Sequence, residues 1–172
     1  GGGATAGVAA SEERGIDGTL NDTTISTRIS AELAHKDSNI FIALTISVYE
    51  GRVLLTGILK RQEDVDFAVK TAWGVDGVRE VINEIVLDPT GRTGTFASDS
   101  LIVAQIKTDL LLDKNVSAVN YSLDSVRGVV YIMGVAQSQD ELDRVIGYAR
   151  NVRYVQKVVN HAILKGDPRR KS

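Results

Sequence analysis

Apolar residues in this chain follow two rhythms. Ile25, Ile29 and Leu33 recur every four residues, the spacing of a helical stripe turned toward a core. Asp22 stands just ahead of them and reads as an N-cap, its carboxylate accepting from free backbone N–H groups. Leu44, Ile46 and Val48 then alternate with Thr45, Ser47 and Tyr49, which predicts a strand with one face toward solvent. Glu50-Gly51 reads as a two-residue hairpin turn, with glycine supplying the positive φ. Such a turn sets Val48 opposite Val53, Ile46 opposite Leu55 and Leu44 opposite Gly57, all on one face, so turn and pattern agree on register. Gln62-Glu63-Asp64 opens a second helix with Val65, Ala68, Val69 and Ala72 as its stripe and Gly74 as its stop. A third strand follows over 78–87. The order helix, strand, strand, helix, strand predicts an α+β module, two helices packed on one face of a three-stranded mixed sheet.

The same pattern returns without a gap. A shift of 77 positions carries Asp22 onto Asp99, Ile25 onto Ile102, Ile29 onto Ile106 and Leu33 onto Leu110. It also carries Gly51 onto Gly128, Gly57 onto Gly134, Gln62 onto Gln139, Asp66 onto Asp143 and Asn83 onto Asn160. One offset held over roughly 60 positions means two domains of one fold. The expected organisation is a flexible N-terminal linker over 1–19, a first module over 20–88, a linker over 89–97, a second module over 98–165 and a basic tail over 166–172. The linker assignments rest on the small-residue run Gly1 to Ala10 and on the turn-rich Asp88-Pro89-Thr90-Gly91.

Composition narrows the function more than the fold. The 172 residues are 43% hydrophobic but only 5% aromatic, so the cores are aliphatic. There is no cysteine, hence no disulfide and no thiol catalysis. A formal net charge of −2 offers no case for nucleic acid. His35 and His161 occupy non-equivalent positions without neighbours at ligand spacing, so no metal site is expected. The acidic runs Glu63-Asp64-Asp66 and Asp140-Glu141-Asp143 stand at helix starts, where the dipole accounts for them. Glycines bracket strands rather than forming a phosphate loop, and nucleophile motifs are absent. The reading is a protein that binds or scaffolds, with no catalytic residue, no cofactor and no small-molecule substrate.

Where the copies differ, candidate surfaces emerge. The second copy has Leu101 where the first has Thr24, and Leu112 where the first has His35. At 100° per residue Leu101, Gln105, Thr108 and Leu112 share one flank beside the core stripe. Lys107 supplies a nearby positive charge, although Asp99, Asp109 and Asp113 leave the helix slightly acidic. The flank serves either an external contact or packing against the linker or the other domain. The tail adds Lys165, Arg169, Arg170 and Lys171, read as a solvated basic segment. On the second hairpin, Val126, Val129, Tyr131 and Met133 fall on the face away from Tyr121, Leu123 and Ile132, and an apolar outer face calls for a partner. Phe67 projects opposite the Val65, Val69 and Ala72 stripe and is read in the same way. For these five residues the partner is the other domain or an external protein.

The segments Gly51 to Gly57 and Gly74 to Ile85, with their second copies Gly128 to Gly134 and Val152 to Asn160, resemble the BON domain family in tandem form. The second copy departs in having Tyr154 for Gly77 and Asn151 for Gly74. The resemblance covers roughly residues 20 to 165. Among two-copy members, Ile16 to Leu20 and Ala97 to Ser100 are most like the DolP-type outer-membrane lipoproteins of Gram-negative bacteria. This implies a periplasmic, non-enzymatic protein linked to envelope integrity, anchored through a lipidated cysteine that would precede Gly1. It also implies contact between the first helix of the second module and an anionic phospholipid surface, placing Leu101, Gln105, Lys107, Thr108 and Leu112 at the lipid. Envelope proteins are the other implied partners. The alternatives are a protein-binding or scaffold module of the periplasm and a soluble osmotic-stress protein.

Overall fold

The computed structural model describes residues 12–92 and 96–171. The stretch Gly1 to Ala10 lies outside the described residues. The chain forms two compact units, residues 14–93 and residues 94–172, with Glu13 belonging to the second.

In the first unit, α1 (Gly15–Lys36) and the short α2 (Ser38–Ala43) lead into β1 (Leu44–Tyr49) and β2 (Arg52–Leu59). α3 (Gln62–Trp73) then crosses over to β3 (Glu80–Leu87). β1 and β2 pair antiparallel with Val48 opposite Val53, Ile46 opposite Leu55 and Leu44 opposite Gly57, the register set by the turn. Glu50 and Gly51 both take positive φ, 52° and 79°, the mirror-image turn that suits strand twist. β3 lies parallel to β2, as the helical crossover requires. Ile25, Ile29 and Leu33 from α1 meet Val65, Ala68 and Ala72 from α3 over Val53 and Leu55.

The second unit repeats this order: α4 (Phe96–Leu112), β4 (Tyr121–Val126), β5 (Val129–Ala136), α5 (Gln139–Asn151) and β6 (Lys157–Asn160). Its last strand is interrupted, because β7 (Ile163–Leu164) resumes the parallel pairing with β5 after a two-residue break. Asn160 spans the break by accepting from the Ala162 N–H (3.0 Å) and donating to the Ala162 carbonyl (3.2 Å). The sheet is therefore four-stranded, against three in the first unit.

Several expectations need correction. Residues 15–19 are helical rather than linker, and α4 begins at Phe96, inside the expected second linker. Asp22 consequently sits well inside α1 and caps nothing of its own helix. Its oxygens accept the Glu50 N–H (2.7 Å) and the Gly51 N–H (2.9 Å), with Arg14 donating to it at 2.9 Å. Asp99 does the same in the second unit, accepting from the Arg127 and Gly128 N–H groups and from the Ser125 hydroxyl. Each carboxylate thus ties its first helix to its hairpin turn, whose N–H groups point away from the ladder and need an acceptor. Gly74 ends α3 as its C-cap, but in the right-handed rather than the left-handed conformation (φ −77°); the positive φ of the turn lies three residues on, at Gly77 (95°).

The sheets are also less wet than alternation suggests. Tyr49, Arg52, Leu54 and Thr56, on the face away from the helices, are all buried. Arg14 stacks on the Tyr49 ring, and Arg52 pairs with Glu80. Glu141, expected only to complement a helix dipole, is buried. It accepts from the Ser117 and Gln137 N–H groups and from the Tyr121 hydroxyl. The C-terminal tail is not free basic charge. Arg169 pairs with Asp167, and Arg170 pairs with Glu13, whose carboxylate also accepts from Gln137.

Candidate functional site

α4 is apolar on both sides, and only one side has a core to face. Ile102, Ile106 and Leu110 are buried, together with the clamp residue Asp99. Around the helix from them, Leu101 is 72% exposed, Leu111 72% and Leu112 78%. Gln105 and Thr108 are exposed between these leucines, so the structure brings Leu101, Gln105, Thr108 and Leu112 onto one outward flank. Lys107 is exposed too but stands about 120° round the helix from Leu101. Leu111 completes the ridge. At the matched positions the first unit has the exposed Thr24, Ala34 and His35.

The acidity of this helix is largely internal. Asp99 is spent on the hairpin turn. Asp113 accepts from Arg144 (2.7 and 2.9 Å), from the Tyr148 hydroxyl (2.7 Å) and from the Asn115 N–H (2.8 Å). The Tyr148 hydroxyl, then the Asn115 N–H and Arg144, hold the Asp113 carboxyl below its ordinary range, and Asp113 raises the Tyr148 phenol. Asp109 accepts from the Gln105 amide (2.9 Å), and Lys107 and Lys114 are exposed.

The same two positions in the first unit carry Lys36 and Phe67, with the Lys36 ammonium 5.3 Å from the ring centroid. Phe67 therefore does not project away from its own module. It packs against the first core from the flank of α3 and closes the end of α1, as Arg144 closes the end of α4. Val126, Tyr131 and Met133 are buried and Val129 half-buried, on the sheet face away from the helices and outside the helix-facing core.

Beside the α4 ridge lies a groove of about 510 Å³. Leu101, Ile102 and Gln105 line it from α4, Tyr148 and Asn151 from α5, and Val152, Arg153 and Tyr154 from the turn that follows. Tyr154 takes φ 74°, a left-handed conformation unusual for a side chain of this size, and its ring is exposed with the Arg153 guanidinium 4.8 Å above it. Leu111, Arg153 and Tyr154 are absent from the sequence-based site. The sequence carried one signal, the replacement of Gly77 by Tyr154, which reads there only as a change of turn. Among the described residues no group of three or more His, Cys, Asp or Glu is arranged to hold a metal ion. Nor is any described helix long and apolar enough to cross a membrane.

Comparison with known proteins agrees with the repeat. The BON domain model matches residues 21–89 and again 98–166. A protein of uncharacterised function from the gshII 5' region of Anaplasma centrale is 42% identical over 147 residues, covering 85% of this chain and 96% of its own. The outer membrane lipoprotein DolP of Haemophilus influenzae is 31% identical, covering 92% of this chain and 82% of its own. The osmotically-inducible protein Y of Escherichia coli is 29% identical over 82% of this chain and 71% of its own.

Proposed function

The chain belongs to the BON domain family, and from that premise we propose a non-enzymatic, envelope-associated periplasmic protein that binds anionic phospholipid surfaces through α4. Its role is the support of outer-membrane integrity, with a lipid anchor holding it at that membrane. Similarity to an outer membrane lipoprotein and to an osmotically-inducible protein supports the envelope location. The observation that carries the lipid reading is the exposed leucine ridge on α4, set against Thr24 and His35 at the matched positions of the first repeat.

Magnitudes favour reversible adhesion over insertion. Burying each of Leu101, Leu111 and Leu112 contributes about 1.5–3 kcal/mol, and each nearby cation about 1 kcal/mol at an anionic surface. After the cost of association, that leaves affinity near the micromolar to millimolar range, about −8 to −4 kcal/mol.

The test is flotation with phosphatidylglycerol vesicles at low salt, comparing wild type with the Leu101→Asp, Leu112→Asp double variant. Wild type is expected to float and the variant to stay at the bottom. Because both side chains are exposed, the variant should keep its fold by circular dichroism. Wild type that fails to float would end the lipid reading. Equal flotation of both would move the site off α4.

A further inference from the structure

One end of the second sheet carries polar side chains that the first repeat lacks. Asn120, directly ahead of β4, is only 2% exposed, and its match in the first repeat is Ala43. Gln137, directly after β5, is matched by Lys60. β7 brings the tail back to the same place, where the Lys165 N–H donates to the Ala136 carbonyl at 2.8 Å. A single turn over Pro168–Lys171 follows, and the Arg170 guanidinium donates back to the Lys165 carbonyl at 2.8 Å. The first repeat forms the module's helices, hairpin and crossover with Ala43 and Lys60, so the fold does not demand Asn120 or Gln137.

These groups converge on Glu13. Its backbone N–H donates to the Asn120 side-chain oxygen at 2.6 Å. One carboxylate oxygen accepts from the Gln137 amide at 3.1 Å and the other from the Arg170 guanidinium at 3.2 Å. Backbone and carboxylate are therefore read together, by three residues from three parts of the second unit. Gln137 is itself fixed, because its own N–H donates to the buried Glu141. Burial pushes the Glu13 carboxyl up, but the Gln137 amide and Arg170, with Lys165 nearby, outweigh it and hold the group below its ordinary range. An ion pair in open solvent contributes little. Here the Glu13 and Arg170 side chains are only 19% and 15% exposed. Beside them stands a buried amide oxygen, a group that is costly to leave without a donor.

We propose that the second module carries a seat for the chain's own N-terminal segment and that the C-terminal tail is its latch. Asn120 reads the backbone of residue 13, Gln137 orients its carboxylate, and Arg170 closes over it. The first repeat, with Ala43 and Lys60 in place of the two seat residues, has no such seat. With the latch closed, whatever precedes residue 12 departs from the second module, beside its tail. With the latch open, the departure point passes along the chain to the start of α1. The latch thus decides which module travels with the N-terminal segment. Where a lipid anchor precedes residue 1, a step that rests on the reading proposed above, the second module stands at its root.

The test is amide hydrogen exchange of the full chain in lipid-free buffer at neutral pH, read residue by residue by NMR. In wild type the Glu13 amide is expected to exchange about a hundredfold more slowly than a free-chain amide. Arg170→Ala removes the latch and should speed that exchange by about tenfold or more. Asn120→Ala, which installs the first-repeat residue, should do the same. The core amides of Ile106 and Ile132 should keep their wild-type rates in Arg170→Ala, which separates local release from loss of the module. A Glu13 amide that exchanges at the free-chain rate in wild type, or whose protection survives both substitutions, overturns the proposal. Because no lipid is present, a failed latch leaves the lipid reading of α4 standing, and failed vesicle flotation leaves the latch standing.

Discussion

Tyr154 and Gly77 occupy one position in two copies of one fold, and both have positive φ, 74° and 95°. For glycine this costs little; for tyrosine the left-handed region costs about 1–2 kcal/mol. Replacing Tyr154 by glycine should therefore raise the stability of the second module by about 1 kcal/mol, read as a higher urea midpoint at unchanged slope. A lower midpoint would mean that the ring's packing outweighs the strain. Asp99 makes the opposite case. Its removal by Asp99→Ala leaves the Arg127 and Gly128 N–H groups without their acceptor. A loss of about 3 kcal/mol is expected in chemical denaturation, given roughly 1–3 kcal/mol for each buried group left unmade. A loss below about 1 kcal/mol would show that water takes over. Neither residue could be placed from sequence alone. Asp22 and Asp99 look like caps because local reading offers them the nearest helix, while their true partners lie in turns far along the chain. Tyr154 is visible as a departure from glycine, but only the backbone angle shows its cost.

At the level of elements, hairpin pairing was legible, whereas the break in the last strand of the second unit and the contacts between elements were not. Alternation plus a two-residue turn fixes the register of β1 and β2, since a slip by one residue would turn every side chain over. The same alternation places Tyr131 and Met133 on the outer face of β5 without saying that they are buried. Period tells which way a side chain points, never what stands in front of it. The closure of helix ends shows this most clearly. Asp113, Arg144 and Tyr148 lock the end of α4 to α5 by charge, where Lys36 and Phe67 use a cation over a ring. Because the Tyr148 hydroxyl, the Asn115 N–H and Arg144 hold Asp113 below its ordinary range, the folded carboxyl binds its proton less readily than the unfolded one. Its contribution is therefore complete above the unfolded value, near pH 4, and is lost as pH falls through the lower folded value. Asp113→Asn should lower stability at neutral pH and flatten the acid limb of a stability profile measured from pH 6 to pH 3. An acid limb as steep as that of wild type would assign it to other carboxylates.

The whole molecule carries a net charge of −2 yet is proposed to meet an anionic surface, so the balance of forces at α4 decides how it behaves. Lys107, Lys114 and Arg153 each contribute about 1 kcal/mol near such a surface, and that contribution fades once the Debye length shrinks to a few ångströms. The three exposed leucines contribute about 1.5–3 kcal/mol each and are not screened. Apolar contact is thus the larger share. Raising salt from about 0.05 to 0.5 M, across which the Debye length falls severalfold, should weaken vesicle binding by about tenfold and not abolish it. Leu101→Thr with Leu112→His, the residues of the first repeat, should abolish it at either salt. Adding Thr24→Leu and His35→Leu to that variant should then restore adhesion only in part. Those positions rebuild two leucines of a ridge on α1, but beside Asp76 and Gly77 rather than beside Arg153 and Tyr154. Binding that disappears with salt while the leucine variant still floats would make the cations, and not the ridge, the carrier of the interaction.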